Sequence, residues 1–184
     1  PTYDPRLRVA LVLAMTGSKC EAQAIVNELS AMNPEHTFIN SVLAPIVRAG
    51  NELGQKHPEA AIEQLRAVAP YELGFIAALA PLYLRGLAYL MLGSGSQAAA
   101  EFQRILDHRG SDPFSPFHAV APLGLARALA MTGDAAGSLR AYERFLAAWA
   151  EADGDIPVLL QAREEHARLE RRVSAAGRTR PAVR

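Results

Sequence analysis

LAMTG is written twice in this chain, at Leu13–Gly17 and again at Leu129–Gly133. In both places an apolar run stops at glycine and a second run begins, which points to an internal repeat. Walking forward from the glycines makes the register explicit. Gly17 leads to Ala22, Val26 and Leu29; Gly93 leads to Ala98, Phe102 and Ile105; Gly133 leads to Ser138, Tyr142 and Phe145. Each series carries a small residue five positions on and bulky apolar residues nine and twelve on. Small side chains let two helices approach, and bulky ones fill the groove beside the contact. Backward from the same glycines, Ala10, Gly86 and Ala126 lie seven positions before, and Leu13, Tyr89 and Leu129 four before.

A weaker copy, Asn51–Val68, places Ala61, Leu65 and Val68 at equivalent positions, so Ala22, Ala61, Ala98 and Ser138 recur every 37–40 residues. A second echo runs beside the first. Leu43-Ala44-Pro45, Leu79-Ala80-Pro81 and Val120-Ala121-Pro122 each fall near the start of a first helix. Proline is accepted in a first helical turn, where its missing N–H has no partner to lose, and that placement is expected for all three. Helices beginning earlier, at Phe38, Phe75 and Phe117, would make the prolines kinks instead.

The spacing therefore predicts helical hairpins at 4–16 with 18–32, 37–53 with 57–69, 74–92 with 95–108, and 116–132 with 134–151. A last helix, 156–175, carries Val158, Ala162, Leu169 and Val173 on one face and Arg163, Glu164, Arg168 and Arg171 on the other. Such a helix covers the open end of a stack. The tail, 176–184, holds Gly, Pro and arginines without apolar period and is expected to be disordered. The expected fold is all-α: a right-handed α-solenoid of about four hairpins over residues 1–175, with the capping helix included.

Composition narrows the classes. The chain has 184 residues, 50% hydrophobic and 21% charged, with formal net charge +0. Nucleic-acid binders usually carry a basic excess, so none is expected as a partner. No run approaches the roughly 18–20 apolar residues of a membrane span. A single cysteine, Cys20, cannot form an internal disulfide or a cysteine-rich metal site, and at the start of a second helix it reads as a packed small residue. The start at Pro1, without an initiator Met or a signal-peptide pattern, suggests a piece of a longer polypeptide or a processed chain.

Two stretches carry a resemblance. Leu82–Gly110, LYLRGLAYLMLGSGSQAAAEFQRILDHRG, resembles a tetratricopeptide repeat, with Gly86, Tyr89, Gly93, Ala98 and Phe102 at the signature positions. Leu123–Trp149, LGLARALAMTGDAAGSLRAYERFLAAW, matches through Leu125, Ala126, Gly133, Ser138 and Tyr142. The usual first-helix Trp is missing, and Pro34 is the one well-placed repeat-ending proline. From Tyr83 to Leu169 the sequence is similar to the C-terminal repeat region of bacterial membrane-anchored serine/threonine kinases and of related winged-helix regulators. That resemblance implies a sensory or docking region, outside the cytoplasm if it follows a membrane span and cytoplasmic otherwise.

Catalytic and cofactor patterns are missing from the sequence. Gly93–Ser96 is glycine-rich but joins two helices and lacks the lysine of a phosphate cradle. Asp107–Gly110 has the wrong order for a kinase catalytic loop and lacks its Asn. His36, His57, His108, His118 and His166 are scattered, so no metal is expected. Asp153 and Asp155 lack the remaining oxygen ligands of a calcium loop. Glu164 and Glu165 read as solvated on the charged face of the last helix.

The expected activity is therefore partner binding without catalysis and without a cofactor. In a stack of hairpins the first helices line the concave face, here Leu7, Leu11, Met15, Ile46, Tyr83, Leu87, Leu123, Arg127 and Met131. Repeat proteins that clamp acidic peptide tails need a basic lining, whereas Arg8 and Arg127 are the basic residues here. An apolar peptide or helix suits the face better, with Tyr83 and the methionines as adaptable contacts. A small-molecule-sensing module using the same groove is the alternative. A homo-oligomer, formed by stacking the poorly capped first helix Asp4–Thr16 on a second copy, stays open.

Overall fold

The computed structural model describes residues 5–74 and 77–178. Among them the chain is all-α, with nine α-helices and no strand: α1 Arg6–Met15, α2 Lys19–Met32, α3 Ala44–Gly54, α4 Pro58–Arg66, α5 Ala80–Met91, α6 Gly95–Asp107, α7 Phe117–Thr132, α8 Ala135–Ala148 and α9 Pro157–Arg178. Each of α1 to α8 packs on the helix that follows it in the chain or is paired with it. The first helices α1, α3, α5 and α7 also touch one another in succession.

The repeated glycines make the hairpin bends. Gly17, Gly93 and Gly133 adopt φ of 93°, 72° and 84°. A left-handed residue at this point lets the next N–H reach back and close the helix end. Ser18, Ser94 and Asp134 accordingly donate to the carbonyls of Leu13, Tyr89 and Leu129 at 2.8, 2.9 and 3.0 Å. The weak copy bends in the same way without glycine. Lys56 has φ 63°, and His57 N–H donates to the Glu52 carbonyl at 2.9 Å. Asp134 then caps α8 by accepting from the Gly137 N–H at 2.9 Å.

The small and bulky positions of the repeat are the core. Ala22, Ala61, Ala98 and Ser138 are fully buried, as are Val26, Leu65, Phe102, Val68, Ile105 and Phe145. The Ser138 hydroxyl is satisfied across the hairpin by donating to the Ala126 carbonyl at 2.7 Å. Phe102 on α6 shows why the facing helices need glycine. A Cβ on Gly86 of α5 would stand 2.8 Å from its ring, and one on Gly124 of α7 would stand 2.5 Å away. The ring is clamped between two helix backbones.

The three prolines behave differently from one another. Pro81 stands in the first turn of α5, as expected. Pro45 follows a π turn, Ile39–Leu43, in a helical run that already began at residue 37. The wider turn makes room for the proline ring and absorbs the lost N–H. Pro122 lies inside α7, contrary to the expected first-turn placement. Phe117 extends that helix upstream because its ring is buried and stacks on Tyr83, with centroids 4.8 Å apart.

The largest departure is at the expected helix 74–92, which begins only at Ala80. Ala78 and Leu79 before it take φ of 51° and 64°. Helix α4 also stops at Arg66, short of the expected 69, and a 3₁₀ turn, Ala69–Tyr71, follows around Pro70. Helix α9 runs to Arg178, into the stretch expected to be a disordered tail; residues 179–184 lie outside the described residues, as does Phe75.

Substitutions at these bends and contacts give measurable effects in urea unfolding. Gly133→Ala meets no atom within 4 Å, so it isolates the left-handed backbone penalty and is expected to lower stability by about 1–2 kcal/mol. Lys56→Gly relieves the same penalty and is expected to add about 0.5–1 kcal/mol. Gly124→Ala drives a methyl into the Phe102 ring and is expected to lose about 1–3 kcal/mol, part of which Phe102→Leu restores in the double variant.

Candidate functional site: an apolar groove across the first helices

The residues expected to line the partner face do not share one environment. Met15 and Met131 are exposed, and Leu11, Tyr83, Leu87 and Arg127 are half-buried. Ile46 and Leu123 are core residues and offer no surface, which corrects the expectation. Ile46 packs into the central cluster with Leu79 and Leu82, and Leu123 is covered by Tyr142, Phe145 and Leu159, the last from α9. Leu7 lies within α1, but its side chain, like that of Arg8, is outside the described residues. Tyr83 is mainly a packing residue, edge-on to Phe102 and stacked on Phe117; burial pushes its phenol above the usual range.

Of the rest, Met15 and Leu87 come together where α1, α3 and α5 end, while Leu11, Tyr83, Arg127 and Met131 do not line the same cavity. A cavity of about 280 Å³ opens there between the Met15 and Met91 side chains. Its floor is Gly50, Leu53 and Gly54 of α3, and its wall is Leu84, Leu87 and Leu90 of α5. No lining residue is charged. The site offers apolar contact and shape, with no acid, base or nucleophile in its wall.

The repeat explains the shape of this cavity. Met15, Met91 and Met131 each stand two positions before a bend glycine and are exposed. The residue two positions before Lys56 in the weak copy is Gly54. Three hairpins thus present a methionine at one place, and the fourth leaves it open. Gly50 serves a different end: a Cβ there would meet the Ala14 Cβ at 3.0 Å, so it seats α3 against α1. A Cβ on Gly54 would have its nearest contact at 3.6 Å, so that position has room for a side chain. Sequence reasoning missed Met91 and Gly54, although the two-residue offset from the bend was there to find them.

Arg127, expected to be exposed on this face, is engaged elsewhere. Its guanidinium holds Glu165 of α9 in two bonds, 2.9 and 3.1 Å, and the Tyr142 hydroxyl donates to the same carboxylate at 2.9 Å. Glu165, expected to be solvated, therefore anchors the last helix. Burial first, then the Glu165 charge and hydrogen bond, raise the Tyr142 phenol well above its ordinary range.

A second ionic cluster joins the chain between α4 and α5 to the next hairpin. The Arg85 guanidinium bonds Glu101 at 2.9 Å from Nε and from Nη2, and Glu72 at 2.8 Å. Arg104 binds the other oxygen of Glu72 and reaches Glu101 at 3.5 Å. Burial pushes the Glu72 carboxyl up, but the hydrogen bonds and charges of Arg85 and Arg104 outweigh it and hold the carboxyl below its usual range. Glu72 lies 13 and 32 residues from Arg85 and Arg104, beyond the reach of any local sequence pattern.

The other singled-out residues do not converge. Cys20 is exposed, not the packed small residue expected. His118 bonds the Asp112 carbonyl at 2.8 Å and His57 the Glu52 carboxylate at 3.1 Å. Among the described residues no three His, Cys, Asp or Glu side chains are grouped as a metal site would need. In the glycine-rich stretch, Gly93 makes the bend, and Gly95 lets α6 approach α7, since a Cβ there would be 2.9 Å from the Ala128 carbonyl oxygen.

Comparison with protein-family models, with curated proteins and with solved structures finds no match. No described helix is long and apolar enough to cross a membrane.

The Tyr142 phenol gives a pH signature. Because its folded-state value lies above the ordinary 10, its contribution to stability is complete below pH 10 and is lost as pH rises toward that folded value. Thermal melts across the alkaline range are expected to fall more steeply for the parent chain than for Tyr142→Phe.

Proposed function

We propose that this chain is a non-catalytic protein-interaction scaffold of the tetratricopeptide-repeat kind. It would serve as the sensor or docking region of a larger bacterial signalling protein such as a serine/threonine kinase. In this reading the hairpins stack as a right-handed α-solenoid, the successive contacts of α1, α3, α5 and α7 put the first helices on its concave face, and α9 caps the far end. The observation that carries the function is the uncharged cavity between Met15 and Met91, where Gly54 leaves the place that methionine fills in the other hairpins.

The chemistry selects the partner. An uncharged floor gives nothing to a carboxylate or a phosphate, and every lining side chain contributes apolar area or a flexible thioether. An amphipathic helix or peptide that inserts one large apolar side chain over Gly54 fits this surface. Arg127, held by Glu165, does not line the cavity and serves to anchor α9.

Cavity size favours a second reading as well. About 280 Å³ lies just below the roughly 300–1,000 Å³ of small-molecule pockets, so an apolar metabolite held over Gly54 is the competing occupant.

Gly54→Met tests the site directly, because it restores the side chain of the other hairpins and fills the cavity, its Cβ reaching only ordinary contact, 3.6 Å, with the Ala14 carbonyl oxygen of α1. The variant is expected to melt within a few degrees of the parent and to lose partner recovery in pull-downs at least tenfold. Equal recovery by both proteins overturns groove binding. A thermal-shift screen of apolar metabolites separates the two occupants: a ligand present at 100 times its Kd stabilises by about 2.7 kcal/mol, and such a shift, absent in Gly54→Met, moves the assignment to small-molecule sensing.

A further inference from the structure

One short sequence adopts two backbone conformations within this chain. In Leu43-Ala44-Pro45 the first two residues are right-handed helical, with φ of −75° and −60°, and Val120-Ala121-Pro122 lies wholly inside α7. In Leu79-Ala80-Pro81 the leucine has φ 64° and ψ 7°, and Ala78 before it has φ 51°. Neither is glycine, so each left-handed residue opposes its own Cβ. Ala77, Ala78, Leu79 and Ala80 are also among the strongest helix formers, and Pro122, in the matching place of α7, shows that a helix of this chain can run through such a proline. Local preference and observed conformation are in direct conflict.

Three tertiary contacts hold the conflicting state. Leu79 is fully buried in the central core, although its backbone is left-handed. The Ser115 hydroxyl, from the turn before α7, donates to the Ala78 carbonyl at 2.7 Å. Upstream, Glu72 is bound between Arg85 of α5 and Arg104 of α6, so the strap between α4 and α5 is fastened to the outside of the hairpin it enters. A segment whose intrinsic preference is opposed by a few identifiable contacts has the makings of a two-state element.

We propose that Ala77–Ala80 is such an element, a strap locked by the Glu72 ion pairs that becomes an added N-terminal turn of α5 when the lock is released. Release moves the Ala78 carbonyl away from Ser115 and uncouples the strap from the turn before α7. It also changes the seating of α5, whose other end supplies Leu87 and Met91 to the groove. The lock is therefore a conformational device that works whether or not the groove has a partner.

Backbone NMR of the full chain reads the two states at Ala78 and Leu79, whose Cα and Cβ shifts differ between left-handed and right-handed helical backbone. The parent is expected to show one left-handed set. Glu72→Gln is expected to raise the right-handed set from below about 1% to above about 10%, the range over which a minor state becomes directly visible. Ala78→Gly added to Glu72→Gln removes the left-handed penalty at that position and is expected to return the signals toward the strap. Arg104→Gln loosens only one side of the Glu72 carboxylate, shifts the populations in the same direction by less, and serves if Glu72→Gln does not fold. Left-handed shifts retained at both residues in every variant, with only the melting temperature lowered, overturn the proposal and leave the cluster a static brace.

Discussion

The ring of Phe102, closed in between the backbones of Gly86 and Gly124, is the contact on which the arrangement depends. It fixes how near α6 can lie to α5 and α7 at once, and no side chain larger than hydrogen fits on either side of it. Tyr83 meets the same ring edge-on and stacks on Phe117, which carries the contact from α5 to the first turn of α7. Elsewhere the same rule is applied more loosely. Ala10 and Ala126 stand where Gly86 does, opposite Val26 and Tyr142, and the smaller clearance of a methyl group suffices there. Close packing of this kind transmits position: a shift at one helix pair is felt at the next because there is little void to absorb it.

Much of this was readable from residue spacing. The bends at Gly17, Gly93 and Gly133 and the buried positions five, nine and twelve residues after them follow from helical periodicity, which is a local property. Lys56 gives no bend signal and was not singled out, yet it stands five positions before Ala61, the same offset as the bend glycines. The misreadings have a common origin in contacts between distant segments. For Pro122 the favoured first-turn placement fails and the alternative start at Phe117 holds, a choice decided by the stacking of Phe117 on Tyr83 across the core. Helix 74–92 was overextended because Ala77–Leu79 are helix formers held in another conformation by distant contacts, the Ser115 hydroxyl on the Ala78 carbonyl and the burial of Leu79 in the central core. Ile46 and Leu123 lie on the expected helices but face the core, Ile46 in the central cluster and Leu123 beneath Tyr142, Phe145 and Leu159.

Charge and apolar surface are kept apart in this molecule. The buried and half-buried ionic groups are spent on holding elements together: Glu72, Arg85, Glu101 and Arg104 at the strap, and Arg127 and Glu165 at the last helix. The groove of α1, α3 and α5 is lined without charge. Such a division lets the ion pairs fix geometry through directional bonds while the exposed face relies on area and shape, so the two can vary independently.

The exposed methionines give the face a chemical vulnerability of its own. Met15 and Met91 border the cavity and Met131 repeats their place one hairpin on, all three exposed residues. Oxidation to the sulfoxide converts a flexible apolar side chain into a polar, chiral one, and methionine sulfoxide reductases reverse it. Peroxide would therefore turn the border of the cavity from oily to wet without disturbing the clamped core beneath it.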